Sequence, residues 1–393
     1  MQFPSLLGHT QELLTIIRKS VKPADHLIDS FFRSHKYLGS HDRRFIAETT
    51  YGTIRHLRRC EILAKEALGG FSNNVSTEDS SLLFLAVYLI TFDHRKDVSP
   101  KVLEPKLHSP QLKESLLRFL SNLASKGHRS GIPRESMAVR YSFPDWMVER
   151  FVQSYGEEEA EKLCSSLNEP APLSIRVNTL KTTPERCQEV LKEQGIETKP
   201  TTFSPFGLSL SKRINIFQLD AFRDGLFEVQ DEGSQILPLL IDPKPTWKVL
   251  DACAGAGGKT LQLAAMMQNR GEIFAVDPNS IRLQALRKRT KRAGASTVRV
   301  METSAFESKA VDFSAFFDAA LVDAPCSGLG TIRRNPGLKW SVDTKSIEEL
   351  SEKQFQILTS NADVVKKGGR LFYATCTMLK EENELVIERF LES

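Results

Sequence analysis

The chain has 393 residues, of which 40% are hydrophobic and 26% are charged, and its net charge is +4. This composition is ordinary for a globular protein, and the length allows two or three domains. No uninterrupted apolar run reaches the roughly 20 residues that a membrane-spanning helix needs, and the N-terminus lacks the basic start and apolar core of a signal peptide. We therefore expect a cytoplasmic protein that does not associate with a membrane.

The six cysteines are scattered along the chain and include no Cys-x-x-Cys pair. This spacing argues against a zinc site and against a disulfide framework, so we expect no bound metal. It also suits a reducing cytoplasm. The six are Cys60, Cys164, Cys187, Cys253, Cys326 and Cys376.

Residues 11–129 are predicted to be helical throughout, with apolar side chains at spacings of three and four. The segment 42–68 combines one apolar face with a basic surface. Such a surface is either merely solvated or a contact for RNA phosphates, and the pattern leaves both open. Its arginines are Arg43, Arg44, Arg55, Arg58 and Arg59.

A linker is predicted at residues 127–135, which are rich in glycine, proline and charge. Residues 144–155 then read as an amphipathic helix. Residues 173–181 alternate like a strand, and residues 184–195 follow a helical pattern. This order predicts a small α/β unit.

From residue 243 onward, predicted strands and helices alternate. The strands are almost continuously apolar, which predicts a parallel sheet covered on both faces. Ligands of such sheets bind at the carboxyl ends of the strands. Five chemically active side chains fall at these ends, namely Asp251, Asp277, Glu302, Asp323 and Cys376.

One strand is followed by a glycine-rich turn and a helix, in the stretch VLDACAGAGGKT at residues 249–260. Glycines let the backbone approach a ligand, and the helix N-terminus offers free N–H donors. Asp277 ends the next strand, where an acidic side chain binds ribose hydroxyls. A plain tight turn is the alternative, and periodicity does not separate a nicotinamide dinucleotide from S-adenosylmethionine.

Two cysteine motifs indicate a family. Residues 321–330 read LVDAPCSGLG, and residues 371–377 read LFYATCT. With the glycine loop, they resemble the RNA 5-methylcytosine methyltransferases, most closely the RsmB (Fmu/Sun) family that modifies small-subunit ribosomal RNA. The resemblance covers nearly the whole chain.

The resemblance implies an α/β fold with three parts. A Rossmann-like S-adenosylmethionine-dependent methyltransferase domain occupies residues 241–393. A small α/β RNA-binding subdomain precedes it at residues 135–240, and an all-α domain similar to the RNA-binding NusB factor occupies residues 1–130. Family members usually continue into a further strand pair, so the resemblance also implies that these C-terminal strands are missing after Ser393.

The catalytic residues follow from the same resemblance. Carbon-5 of cytosine is a poor nucleophile, so a thiolate must first add to carbon-6. Cys376 matches the family's nucleophile, and Cys326 matches the cysteine linked to product release. Asp323 stands where it can hydrogen-bond the cytosine edge and approach the cofactor. DNA cytosine methyltransferases attack with the Pro-Cys cysteine, so on that alternative Cys326 is the nucleophile.

The resemblance further implies S-adenosylmethionine as the cofactor and RNA as the partner. Asp277 is assigned to the ribose, and Asp323 is included among the cofactor contacts. Glu302 takes the place near the adenine where the family usually has Asp. The loop contacts are Cys253, Ala254, Gly255, Ala256, Gly257, Gly258 and Lys259.

Arg176 and Asn178 belong to a recurring RVN triplet of the family and are candidate RNA contacts. A salt bridge and a turn inside the fold are the alternative. We expect a monomer that forms 5-methylcytosine in 16S ribosomal RNA through a covalent Cys–C6 adduct. The alternatives are a transfer RNA 5-methylcytosine methyltransferase and a non-catalytic RNA-binding ribosome-assembly factor.

Overall fold

The computed structural model describes residues 1–20, 22–69, 75–126, 136–212 and 214–393, so the linker predicted at 127–135 lies outside the described residues. The chain divides into two compact units. We call residues 1–170 with 327–344 the helical unit, and residues 171–326 with 345–393 the sheet unit. The three-domain division stays a prediction, because the two units group the residues differently.

The helices are, in chain order, α1 (Phe3–Arg18), α2 (Ala24–Ser34), α3 (Ser40–Arg55), α4 (Leu57–Leu68), α5 (Thr77–Thr91), α6 (Pro100–Leu103), α7 (Pro110–Lys126), α8 (Met137–Arg140), α9 (Asp145–Tyr155), α10 (Glu157–Leu167), α11 (Pro184–Glu193), α12 (Asp220–Arg223), α13 (Glu232–Ile241), α14 (Gly258–Met266), α15 (Ser280–Ala293), α16 (Thr303–Glu307), α17 (Leu338–Ser341), α18 (Thr344–Ser360) and α19 (Glu384–Glu392). The strands are β1 (Leu173–Val177), β2 (Thr198–Pro200), β3 (Gly207–Leu210), β4 (Phe227–Val229), β5 (Lys248–Asp251), β6 (Glu272–Asp277), β7 (Val298–Glu302), β8 (Phe317–Asp323) and β9 (Val365–Ala374).

The helical unit is built around α5. Ser76 caps this helix by accepting a hydrogen bond from the backbone N–H of Asp79 at 3.0 Å. Residues 79–87 of α5 are buried without interruption, which is the property of a helix that lies inside a bundle. Helices α1, α3, α4 and α7 contact it. The all-helical N-terminal region predicted from the sequence is confirmed over its described residues.

The segment 327–344 belongs to the helical unit, although it directly follows Cys326 of the sheet unit in the chain. It is anchored by Lys339, which is completely buried. The Lys339 ammonium donates to the carbonyl oxygens of Arg55 and Ser142, each at 3.0 Å, and to Asn168 Oδ1 at 2.6 Å. Burial lowers the pKa of Lys339 well below its ordinary value.

The sheet unit contains two sheets. The first has the order β2-β3-β1-β4 and is antiparallel, and α11 follows β1 as predicted. The second has the order β7-β6-β5-β8-β9 and is parallel throughout. Buried apolar side chains cover both of its faces, one set around Leu263 and one around Phe317. The predicted Rossmann-like fold is therefore confirmed.

Among the helices of the described residues, none combines the length and the apolar character needed to cross a membrane.

Candidate active site

The glycine loop between β5 and α14 uses two glycines for different reasons. Gly257 has φ +88° and begins the helix, and a Cβ at this position would lie 2.0 Å from Leu286 Cδ1. Gly255 has φ +55°, and a Cβ there would meet no atom within 4 Å. Backbone conformation and packing against α15 therefore exclude a side chain at residue 257. At residue 255 the backbone borders open space that a ligand can fill.

Asp277 at the end of β6 holds this loop in place. Its Oδ2 accepts a hydrogen bond from the backbone N–H of Gly255 at 2.9 Å, and its Oδ1 accepts one from Asn279 N–H at 2.8 Å. A carboxylate has about four acceptor positions, so both oxygens retain capacity for further donors such as ribose hydroxyls.

A cavity of about 520 Å³ opens at the carboxyl ends of β5, β6 and β8. Most residues predicted to contact the cofactor line it, namely Cys253, Ala254, Gly255, Ala256, Gly258, Lys259, Asp277 and Asp323. Gly257 packs against Leu286 instead, and Glu302 is exposed at the end of β7 and does not line the cavity.

Sequence reasoning missed several lining residues. Lys353 and Ile357 come from α18, about a hundred residues beyond the loop and outside any motif. Gln230 also lines the cavity, as does Arg282, which begins the basic stretch 282–292 of α15. No local signal in the sequence distinguishes these side chains from ordinary surface or core residues.

Two carboxylates of the cavity have opposite surroundings. Asp323 is paired with the ammonium of Lys259, which donates to its Oδ2. Asp251 is buried and accepts a hydrogen bond from Thr260 Oγ1 at 2.7 Å. Burial raises the pKa of Asp251 to about 6. Asp323 therefore faces the cavity as part of an ion pair, whereas Asp251 is buried and held by a neutral donor.

The two motif cysteines are brought together by neighbouring strands. In the β8–β9 register, Asp323 pairs with Ala374, so Cys326 and Cys376 follow the ends of adjacent parallel strands. Their sulfur atoms are 3.3 Å apart, and the backbone N–H of Cys376 donates to Cys326 Sγ at 3.2 Å. The hydrogen bond from the Cys326 thiol lowers the pKa of Cys376, which is exposed.

The remaining thiols have the opposite property. Burial raises the pKa of Cys253 to about 12, although this residue lines the cavity. It likewise raises the pKa of Cys164 and of Cys187 to about 11. The thiolate is the reactive form of cysteine, and of Cys376, Cys253, Cys164 and Cys187 only Cys376 has surroundings that favour it.

The loop that carries Cys326 is held from α18. The side-chain amide of Gln354 donates to the carbonyl oxygen of Pro325 at 3.0 Å and to Glu382 Oε1 at 3.0 Å. Gln354 and Glu382 are both completely buried. This contact fixes the backbone next to the thiol.

Arg176 and Asn178 do not fit the predicted RNA contact. They are only 2% and 3% exposed. The Asn178 amide donates to the carbonyl oxygens of Gly225 at 2.9 Å and Ala293 at 2.8 Å. Arg176 stands opposite Glu228 in the β1–β4 pair. Both side chains stabilise the interior of the sheet unit, which was the alternative interpretation.

The basic stretch 282–292 is partly neutralised. Glu228 is buried and accepts hydrogen bonds from Arg289 at 2.9 Å and from Arg292 at 2.5 Å. Arg289 also donates to the carbonyl oxygen of Ala256 at 2.7 Å. Arg289 therefore braces the glycine loop, and both arginines are paired with Glu228 rather than presented as free charge to a phosphate.

The parallel sheet, the glycine loop and the cavity at the strand ends define a Rossmann-like enzyme with a nucleoside cofactor. Comparison with known proteins narrows this class. Residues 238–393 match the family model described as 16S rRNA methyltransferase RsmB/F. Residues 143–217 match the model of the ferredoxin-like domain of RsmF/B-like methyltransferases.

Relatives match the chain over most of its length. "Probable ribosomal RNA small subunit methyltransferase B" from Synechocystis is 33% identical over 394 residues, which cover 97% of this chain and 87% of the relative. The solved protein PH0851 has a TM-score of 0.79 at 30% identity and covers 100% of this chain and 90% of its own. A methyltransferase homologue from Pyrococcus horikoshii has a TM-score of 0.58 at 31% identity over 65% of this chain and 81% of its own.

The chain belongs to the RsmB/F family of 16S rRNA methyltransferases, enzymes that methylate RNA. The family resemblance found in the sequence is thereby confirmed, and S-adenosylmethionine is the cofactor of this class. The cavity fits that group, because the open side of Gly255 and the spare acceptor capacity of Asp277 suit a nucleoside.

Proposed function

We propose that this protein forms 5-methylcytosine in 16S ribosomal RNA through a covalent adduct between Cys376 and carbon-6 of the base. One observation carries the proposal, namely the 3.3 Å approach of the Cys326 and Cys376 sulfurs at adjacent strand ends. Two buried, inert thiols would need no such placement. An exposed thiol with a lowered pKa beside a second thiol suits nucleophilic addition followed by release.

The bonds and protons of this reaction balance within the site. The Cys376 thiolate forms a bond to carbon-6, and the electron pair of the 5,6 double bond makes carbon-5 nucleophilic. Bound S-adenosylmethionine supplies the methyl group that carbon-5 takes. Transfer of the carbon-5 proton to solvent water then restores the double bond and expels the Cys376 thiolate. We assign this release step to Cys326, which contacts both the sulfur and the backbone N–H of Cys376.

Asp323 is proposed to recognise the base. Its carboxylate pairs with the ammonium of Lys259, and carboxylate oxygens accept hydrogen bonds. A carboxylate at this strand end suits the exocyclic amino group of cytosine, which is a donor. The base must be unpaired in a loop or flipped out of its stack to reach the thiol.

The cofactor contacts are proposed residue by residue. Asp277 binds the ribose, and the backbone of residues 253–259 lies along the cofactor. Lys259 supports the methionine end while it balances Asp323. Glu302 would reach the adenine only by a change of side-chain position, since it does not line the cavity. We further propose that the protein acts as a monomer in the cytoplasm.

Covalent trapping tests the proposal. Small-subunit ribosomal RNA that contains 5-fluorocytosine is incubated with S-adenosylmethionine and with the parent protein, Cys376→Ala or Cys326→Ala. Fluorine does not leave carbon-5 as a proton does, so the attacking cysteine stays bound to the RNA. We expect an adduct that resists denaturation with the parent and with Cys326→Ala, and none with Cys376→Ala.

The other outcomes are equally informative. An adduct that disappears only in Cys326→Ala would identify Cys326, the cysteine of the Pro-Cys motif, as the nucleophile. An adduct with transfer RNA and none with ribosomal RNA would identify transfer RNA as the substrate. RNA binding without an adduct in any form would contradict the catalytic proposal and favour a ribosome-assembly factor.

A further inference from the structure

A cluster of potential metal ligands lies in the helical unit. His9 and Glu12 are three residues apart on α1, and His35 immediately follows α2. Glu12 Oε2 is 3.7 Å from His9 Nδ1 and 3.9 Å from His35 Nε2. The three ligand atoms all lie within 4.8 Å of one another. Ligands of a zinc ion at bond lengths near 2.0–2.2 Å are about 3.3–3.6 Å apart, so small side-chain rotations would bring these atoms to coordinating distance.

The hydrogen bonds of the two histidines are compatible with the tautomers that a metal requires, and that of His35 fixes its tautomer. His35 Nδ1 is 2.8 Å from the carbonyl oxygen of Phe31, which can only accept, so the proton belongs on Nδ1 and the lone pair on Nε2. His9 Nε2 is 3.2 Å from the hydroxyl of Tyr37, which can accept its proton and leave the lone pair on Nδ1. A metal-bound histidine usually donates its other N–H in this way.

The rings are also held in place by packing. The His35 ring stacks on Phe31 with centroids 4.1 Å apart, and Phe31 itself is buried. The rings of His9 and His35 are 5.4 Å apart, and Tyr37 contacts both. Coordination would therefore cost little side-chain entropy for the imidazoles, and only the half-exposed Glu12 has to be ordered.

We propose that His9, Glu12 and His35 form a binding site for a borderline divalent cation, with Zn²⁺ as the best match, that joins α1 to the end of α2. Two imidazoles and one carboxylate suit zinc, whereas calcium and magnesium prefer oxygen ligands alone. A fourth position stays open to water. The sequence argument against zinc concerned cysteine spacing and did not address ligands contributed by separate helices.

The test uses the full-length, metal-free protein with Cys326→Ser and Cys376→Ser, because the thiol pair could itself bind zinc. Isothermal titration with Zn²⁺ should show one bound ion. His35→Ala and Glu12→Gln should each weaken its affinity at least tenfold. The matched control is His108→Ala, which removes an exposed histidine whose Nδ1 lies 3.2 Å from Asp79 Oδ1. We expect the control to leave affinity unchanged.

Two further readouts separate coordination from an effect on folding. Zn²⁺ should raise the melting temperature of the parent and of His108→Ala, but not that of Glu12→Gln, whose side chain is half exposed. Co²⁺ should give the visible absorption of a nitrogen and oxygen site without a thiolate charge-transfer band. Zinc binding that is equal in the parent, His35→Ala and Glu12→Gln, or no binding at all, would overturn the proposal.

Discussion

Glu228 is the residue whose replacement best tests the electrostatic support of the cofactor loop. Its carboxylate is 3% exposed and is shared by Arg289 and Arg292, while Arg176 faces it across the β1–β4 pair. Glu228→Gln keeps the shape of the side chain and removes its charge. Three guanidinium groups would then lack their buried counter-charge, and Arg289 would lose the partner that aims it at Ala256.

The loss of stability expected for Glu228→Gln depends on how deeply Glu228 and its arginine partners are buried. Breaking a buried ion pair by removing one partner costs about 3–5 kcal/mol. Arg289 and Arg292 retain side-chain exposures of 23% and 20% and can recover some hydration. We therefore expect the lower end, about 3 kcal/mol. For a unit of this size, that loss corresponds to a melting temperature lower by about 6–12 °C.

Cofactor binding should change as well, because Arg289 donates to a carbonyl of the glycine loop. Loss of one such hydrogen bond from a charged donor is worth about 1.5 kcal/mol, or roughly a tenfold weaker affinity for S-adenosylmethionine. Urea unfolding measures the free energy of unfolding, and isothermal titration measures the affinity for S-adenosylmethionine. Both are measured on the same preparation.

A surface carboxylate provides the control. Glu272 pairs with Arg299, and the two side chains are 31% and 60% exposed, so Glu272→Gln should cost less than about 1 kcal/mol. If Glu228→Gln proved no more costly than this control, the view that its charge holds the arginines would be refuted. Lower stability with unchanged cofactor affinity would refute only the link from Arg289 to the loop.

Three further predictions concern single side chains. Cys326→Ala removes the thiol whose hydrogen bond lowers the pKa of Cys376. Iodoacetamide alkylation of Cys376 should therefore accelerate at a higher pH in this variant than in the parent. An unchanged pH profile of the alkylation rate would contradict this. Asp251 has a folded-state pKa of about 6, above its ordinary 3.8. Between these pH values the folded state binds more protons than the unfolded state. The free energy of unfolding should therefore fall by about 2–3 kcal/mol as pH rises from 4 to 6. Asp251→Asn should flatten that dependence in urea titrations, and an equally steep curve would count against it. Lys339→Met removes the ammonium that serves three buried oxygens and should cost about 3 kcal/mol of stability, whereas Lys345→Met, at an 82% exposed side chain, should be neutral.

The parallel sheet and the thiol pair were predictable because their signals are local. Each apolar strand ends at, or within two residues of, a polar or thiol residue, and parallel strands place such ends along one edge. The meeting of Cys326 and Cys376 follows from the adjacency of β8 and β9, which the family motifs implied. The position of Lys353 in the cavity lining was not predictable. A lysine on an amphipathic helix gives the same sequence pattern whether it faces a cavity or solvent.

Arg176 shows why the RNA contact could not be derived from sequence. An arginine in an alternating strand is equally compatible with either face, and its partner Glu228 lies about fifty residues away. Burial lowers the pKa of Arg176 to about 10, which reflects the cost of placing a guanidinium in the interior. Only the fold reveals the carboxylate that offsets this cost.

The placement of the segment that follows Cys326 likewise depends on residues that are distant in sequence, as Lys339 shows. Its ammonium is bound by oxygens of residues 55, 142 and 168, none of which is near it in sequence. This segment of eighteen residues follows Cys326 and ends at Thr344, the first residue of α18, and the buried Lys339 helps to anchor it in the helical unit. Because a buried cation without its acceptors is strongly disfavoured, correct placement of the segment depends on prior formation of the helical core. We therefore expect the segment to become resistant to proteolysis only together with the helical unit. Earlier protection would contradict this order.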